Sequence, residues 1–243
     1  MQLSNSIGFV TGANRGIGRA FIKALLQAGA ARIYAAARDP SRLSDLTMDE
    51  RVIAVTLDIN DAGQIKRVAE AHKDVTLLIN NAGIAAFAGF IAASDINPAR
   101  AEMETNYFGT LNMIRAFAPI LAGNGGGAII NLASIASYVN FPALGSYSAS
   151  KAAVHSLTQG IRAELNAQGT RVVGVYPGPV DTDMAAGIEM DKTSPEEVVR
   201  SVLDGLAAGT EDIYPDPTSS EMHAGLLDDP KAIERMAGEM LPG

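Results

Sequence analysis

The sequence predicts a single α/β domain, a doubly wound parallel sheet flanked by helices on both faces. Three observations carry that reading. Short apolar runs alternate with stretches of helical spacing along most of the chain. The runs at 52–57 and 75–79 show no polar alternation, which suits parallel strands buried on both faces. A glycine-containing turn joins the first apolar run to the first helix, where doubly wound sheets bind their ligands.

Taken in order, residues Ile7 to Thr11 form a short apolar strand. Residues 16–28 follow with helical spacing through Ile17, Phe21, Ala24 and Leu25. A second strand is expected over Arg32 to Ala37, a third over 52–57 and a fourth over 75–79, with a helix at 64–72 between the last two. Asn97-Pro98 reads as an N-cap and first helical residue, opening a long helix that reaches about Leu121. A strand is expected over 128–132, a helix over 147–168 and a strand over 171–176. Ser194 caps a further helix, with Pro195 at its first position and Glu197 completing a capping box. No internal repeat or linker interrupts this order, and the glycines from Gly123 to Gly127 read as a turn. The expected domain therefore spans residues 1–243, with a substrate loop near 184–194 and a variable tail from about 215.

Bulk properties narrow the function classes. With 243 residues, 47% of them hydrophobic and 19% charged, the chain can bury a substantial core. Its net charge of −8 and lack of any Lys/Arg run argue against nucleic acid as a partner. The absence of cysteine excludes disulfides, thiolate catalysis and thiolate zinc sites. The first residues lack a basic and then apolar leader pattern, and no run approaches the roughly 18 apolar residues of a membrane span. The expectation is a cytoplasmic protein that engages no membrane.

The first chemical motif is Thr11-Gly12-Ala13-Asn14-Arg15-Gly16-Ile17-Gly18. Its glycines, at 12, 16 and 18, do not follow the common GxGxxG spacing, but they do the same physical work. They let the backbone turn tightly and approach a pyrophosphate, behind which a helix N-terminus offers free N–H groups. At the end of the second strand an acid would bond ribose hydroxyls and repel a 2′-phosphate. Ala37 stands there instead, followed by Arg38, and Arg15 lies in the loop. Two guanidiniums and no acid favour NADP(H), with NAD(H) also admissible. The alternatives are an Arg38–Asp39 surface pair, or Asp39 itself as the ribose acid.

A second constellation joins Ser134, at the end of a strand, to Tyr147-Ser148-Ala149-Ser150-Lys151, thirteen residues further on. A tyrosine and a lysine four apart share one helix face. The ammonium is expected to lower the phenol's pKa, so that Tyr147 can give or take a proton at a substrate oxygen. Ser134 can hydrogen-bond the same oxygen. Asn80-Asn81-Ala82-Gly83 follows the fourth strand, and Asn106 lies in the long helix.

With these motifs assembled, the sequence resembles the short-chain dehydrogenase/reductase family. The resemblance runs from Thr11 to about Met184 through TGANRGIG, NNAG, the serine thirteen before YSASK, and PGPVDTDM. It implies a Rossmann fold and a catalytic set of Ser134, Tyr147 and Lys151, with Asn106 anchoring a water in a proton relay. It further implies cofactor contacts from Gly12, Asn14, Arg15, Gly16, Ile17, Gly18 and Arg38, from Asp58 and Ile59 at the adenine, and from Asn80, Ala82 and Gly83. Lys151 would also bind the ribose, and Pro177, Gly178, Val180 and Thr182 would lie at the nicotinamide. In place of the family's usual last strand and tetramer motif stand Ile213-Tyr214-Pro215-Asp216-Pro217, so a dimer through the helices starting at Asn97 and Tyr147, or a monomer, is expected as readily as a tetramer.

Substrate choice is expected from the loops at 85–95, 135–146 and 184–193, which carry Phe87, Phe90, Ile135, Tyr138, Phe141, Leu144, Met184, Ile188 and Met190. Ser134, Ile135, Phe141, Tyr147 and Met184 are the principal candidates. This apolar lining suits a neutral, hydrophobic ketone, aldehyde or secondary alcohol. His72, His155 and His223 have no acidic partners at metal-ligand spacing, so no metal is expected. His72 is expected in solvent and His155 packed, while Met222, Met236 and Met240 are expected to cover apolar surface. A cofactor-binding sensor without turnover is the alternative function. Its signature would be a missing Tyr or Lys, and both are present.

Overall fold

Apolar alternation along each central strand divides the interior into two layers. In β2 (Arg32–Ala37), Ile33, Ala35 and Ala37 face one side, and Tyr34 and Ala36 the other. The same split recurs in β1 (Ile7–Thr11), β4 (Leu77–Asn80), β5 (Gly127–Leu132) and β6 (Thr170–Val175). The first layer packs on α1 (Gly16–Gln27) and α6 (Pro195–Ala208). The second packs on α2 (Ala62–Ala71), α4 (Thr110–Gly123) and α5 (Gly145–Asn166). The computed structural model describes residues 3–242; Met1 and Gln2, where the leader-peptide reading begins, and Gly243 lie outside the described residues.

Among those residues, seven strands form one parallel sheet in the order β3-β2-β1-β4-β5-β6-β7, with β3 at Val52–Thr56 and β7 at Asp212–Ile213. The order reverses between β1 and β4, so their carboxyl ends flank the crevice expected of a doubly wound sheet. No helix among the described residues is long and apolar enough to cross a membrane.

Several elements differ from expectation. β3 is an edge strand, and Ile53 is 39% exposed, so this run is not buried on both faces. Asn97 is already helical in α3 (Asn97–Glu102), and the carboxylate of Asp95 accepts its N–H at 2.7 Å. The long helix is broken by a π turn at Met103–Gly109 before it resumes as α4. Such bulges push one residue out of the regular ladder and often mark functional positions. The catalytic-motif helix begins at Gly145, two residues before Tyr147.

The capping box at Ser194 forms as expected. The tail from about 215 folds into α7 (Pro217–Asp228) and α8 (Pro230–Gly238). Asp216 accepts the Ser219 N–H at 2.8 Å, and Asp229 accepts those of Lys231 and Ala232 at 3.1 and 3.0 Å. Both are N-caps followed by proline, the signal already legible at Ser194-Pro195.

Candidate functional site

Backbone approach shapes the first wall of the site. Gly12 has φ +63°, and a Cβ there would lie 2.9 Å from the Ala82 Cα. Gly16 has φ +50°, and its Cβ would meet the Thr182 Cγ2 at 2.9 Å. Only glycine holds both positions without strain. Gly18 does not line the cavity; a Cβ there would collide with the carbonyl of Gly12, so its glycine serves helix-to-strand packing. Across the crevice, the Thr11 hydroxyl accepts the N–H groups of Asn81 and Ala82 at 3.0 Å each, and the Asn81 amide donates to the carbonyls of Thr11 and Gly12 at 3.0 and 3.1 Å. No side chain caps the start of α1. The result is a glycine cradle backed by a helix N-terminus with free N–H groups, a fit for the pyrophosphate of a dinucleotide.

The strand ends supply the polar part of the same wall. Ala37 is buried, and Arg38 and Arg42 line the cavity. Asp39 also borders the cavity, and the Ser41 hydroxyl and N–H, at 2.6 and 3.1 Å, hold its carboxyl below the usual carboxylate range, with Arg42 adding to this. Among the described residues Asp39 forms no ion pair with Arg38. Arg15 pairs with Asp183 at 3.1 Å across the cavity mouth. Arg42 was not anticipated, although a second arginine one turn after Arg38 was a readable signal. Asp58 accepts the N–H of Asn60 at 3.0 Å, and Asp58, Ile59 and Asn60 line the cavity together.

The proton-transfer candidates meet at the far end. Ser134 follows β5 and caps a short 3-10 turn, accepting the Ala136 N–H at 3.2 Å. Tyr147 lies in the first turn of α5 and lines the same cavity as Ser134, whose hydroxyl donates to the Pro177 carbonyl at 3.4 Å. Burial pushes the phenol up to about 12; the nearby Ser134 hydroxyl opposes this, and the Glu102 carboxyl adds to it. The expected lowering by Lys151 is thus not what the protein groups produce. The Lys151 Nζ lies 5.6 Å from the Tyr147 ring centre and donates to the Leu132 carbonyl at 2.7 Å, and its own burial lowers it to about 8.

Asn106 and Asn80 lie behind the cavity wall rather than on it. The Asn106 side chain, in the π turn, accepts the Ile84 N–H at 2.8 Å and donates to the Ile84 carbonyl at 2.9 Å and the Ser150 hydroxyl at 2.8 Å. Asn80 donates to Asn131 at 2.9 Å, tying β4 to β5, and its Oδ1 is buried with no protein partner. Of the other expected residues, Gly12, Asn14, Arg15, Gly16, Ile17, Ala82, Gly83, Pro177, Gly178, Val180 and Thr182 all border the cavity.

That cavity measures about 810 Å³ and continues from the glycine loop past Tyr147 into an apolar end. Ile135, Phe141 and Met184 line it, with Phe87, Leu144, Ile188 and Met190. Phe90 and Tyr138 do not: Phe90 is 58% exposed, and Tyr138 packs among His155, Tyr176, Tyr214 and His223. Met222 and Met240 also line the cavity instead of covering an outer surface, because α7, α8 and the segment after them fold back over the loop at 141–144. The Ala143 N–H donates to the Met240 carbonyl at 2.9 Å. His72, expected in solvent, packs on Phe9 and Tyr34 and bonds the Val68 carbonyl at 2.7 Å.

A parallel sheet with a dinucleotide cradle and a Ser–Tyr–Lys set in one cavity defines a class, and comparison places the chain in it. The family model for short chain dehydrogenases matches residues 7–193, and the chain belongs to that family. A short chain dehydrogenase of Burkholderia cenocepacia, solved in complex with NADP, is similar at 44% identity and a TM-score of 0.94, covering 98% of this chain and 99% of that one. A family member from Burkholderia phymatum, solved with NAD, has 26% identity and a TM-score of 0.81 over 93% of this chain and 96% of that one. Among curated relatives, a 3α-hydroxysteroid dehydrogenase of Mediterraneibacter gnavus is 31% identical over 86% of this chain and 85% of its own length.

Proposed function

We propose that this oxidoreductase is an NADP(H)-dependent reductase of neutral, hydrophobic ketones or aldehydes, reversible toward secondary alcohols, acting in the cytoplasm. The observation that carries the reading is the cavity in which Ser134 and Tyr147 stand together between a glycine cradle and an apolar end. Two arginines on the cavity wall, Arg38 and Arg42, beside the neutral Ala37 suit a 2′-phosphate. The NADP-bound relative supports that cofactor, and the steroid dehydrogenase supports an apolar secondary alcohol or ketone.

The backbone from Gly12 to Ile17 would hold the pyrophosphate, Arg38 and Arg42 the 2′-phosphate, and Lys151 the nicotinamide ribose. When bound, the reduced nicotinamide supplies a hydride to the carbonyl carbon. Tyr147 Oη gives its proton to the carbonyl oxygen, which leaves a phenolate and an alcohol. A phenol held at about 12 is protonated at neutral pH, the state a proton donor needs. Ser134 donates to the same oxygen and orients it, and the apolar walls exclude water. Lys151 places a positive charge near the phenolate as it forms.

The test is NADPH oxidation over a panel of ketones and aldehydes. Tyr147→Phe should lower kcat about 10³-fold while NADPH still binds, as read by cofactor fluorescence. Full turnover without the hydroxyl would overturn the assignment.

A further inference from the structure

Glu102 is fully buried at the end of α3, and no lysine or arginine among the described residues forms an ion pair with it. Its carboxyl has two partners. One oxygen accepts the N–H of Ala86 at 2.7 Å, and the other accepts the hydroxyl of Ser146. Asn106, four residues later, makes the corresponding pair of contacts, with Ile84 on one side and Ser150 on the other. The two sets of partners keep step. Ile84 and Ala86 are alternate residues of the extended segment after β4, while Ser146 and Ser150 lie one turn apart on α5. Each serine stands immediately before a proton-transfer candidate, Ser146 before Tyr147 and Ser150 before Lys151.

We propose that Glu102 is a positioning residue, the second rung of a clamp that fixes the first turn of α5, and with it Tyr147, against the cofactor-side loop at 83–86. The Asn106 rung holds α5 at Ser150, and Asn140 holds the Gly145 carbonyl at 3.1 Å from the other side. The Glu102 rung ties the first turn to the loop at 83–86. An ionisable side chain in an apolar interior is costly unless its oxygens are hydrogen-bonded, and no apolar residue of similar size could accept from a backbone N–H and a hydroxyl at once. The arrangement therefore trades stability for the angle of one helix end. A displacement of about 1 Å at a reacting group is enough to cost about a hundredfold in rate.

The proposal rests on the reductase reading for its kinetic consequence, but not for its structural one. The experiment compares Glu102→Gln, Glu102→Ala and Ser146→Ala with the unaltered chain, in NADPH-dependent ketone reduction and in amide hydrogen exchange. Glutamine can accept from Ala86 and donate to Ser146, so it should keep kcat within about threefold and leave exchange unchanged. Alanine should lower kcat about tenfold to a hundredfold with KM for NADPH nearly constant, and should speed exchange at Ala86 and in the first turn of α5. Ser146→Ala, which leaves Ala86 bonded to Glu102, should lower kcat while Ala86 stays protected. A folded Glu102→Ala variant with unaltered kcat and exchange would overturn the clamp, as would a glutamine variant as impaired as alanine. If the unaltered chain reduced no carbonyl while exchange followed the pattern above, the reductase reading would fail and the clamp would stand.

Discussion

The two ends of the cavity are built on different principles. The cofactor end, from Gly12 to Gly83, is made of backbone: glycines at positive φ, strand termini and a helix start, locked by Thr11 and Asn81. The substrate end is made of apolar side chains from remote segments, Phe141 and Leu144 beside Met184, Met222 and Met240. Backbone geometry tolerates little change, whereas apolar walls can be exchanged without disturbing the fold. The first end recognises groups common to every dinucleotide, and the second is where one family member can differ from another.

Lys151 sits at the seam, and changing it should have the largest effect. Lys151→Met should lower kcat by about 10² to 10⁴ and also stabilise the fold. The ammonium is lowered from 10.5 to about 8 by burial, so between those values the unfolded chain holds a proton that the folded chain has released. Stability therefore rises with pH across that window, by up to about 3 kcal/mol from this group. Urea titrations at pH 7 and pH 9 should show the rise in the unaltered chain and not in Lys151→Met. An equal rise in both would remove Lys151 as its source. Above pH 10 the raised Tyr147 works in the opposite sense, because the unfolded chain loses the phenolic proton first.

The cofactor end is tested next. Arg38→Asp should shift the NADP-to-NAD preference by about ten- to a hundredfold toward NAD, measured as the ratio of kcat/KM values, because it replaces a charge-assisted hydrogen bond with repulsion. An enzyme that already prefers NAD would break the assignment. At the substrate end the effect should be smaller and selective. Met240→Ala should raise KM about tenfold for bulky apolar ketones and leave small ones nearly unaffected, matching the loss of about one methylene-sized contact. A uniform loss across the panel would mean that the tail supports the fold rather than the pocket.

Legibility followed the same division. The cradle could be read because Gly12 and Gly16 hold a positive φ that glycine adopts without strain, and the helix at Ser194 because a capping box is contained in four residues. The helices after Asp216-Pro217 and Asp229-Pro230 carried a comparable local signal that the acidic composition of the tail obscured. Arg42 was legible in principle, as a second arginine one turn beyond Arg38. Glu102 was not. Nothing near it in sequence distinguishes a buried carboxyl from a solvated one on a polar helix.

By itself, the sequence determined the alternation of strand and helix, the cradle, the neutral end of β2 and the spacing of Ser134, Tyr147 and Lys151, since each depends on the chemistry of residues close together in the chain. Tertiary structure alone decided which way Tyr147 and Lys151 shift, because burial is the leading cause for both. It also decided that Met222 and Met240 reach the cavity and that Glu102 joins Ala86 to Ser146, contacts that exist only once distant segments are folded against one another.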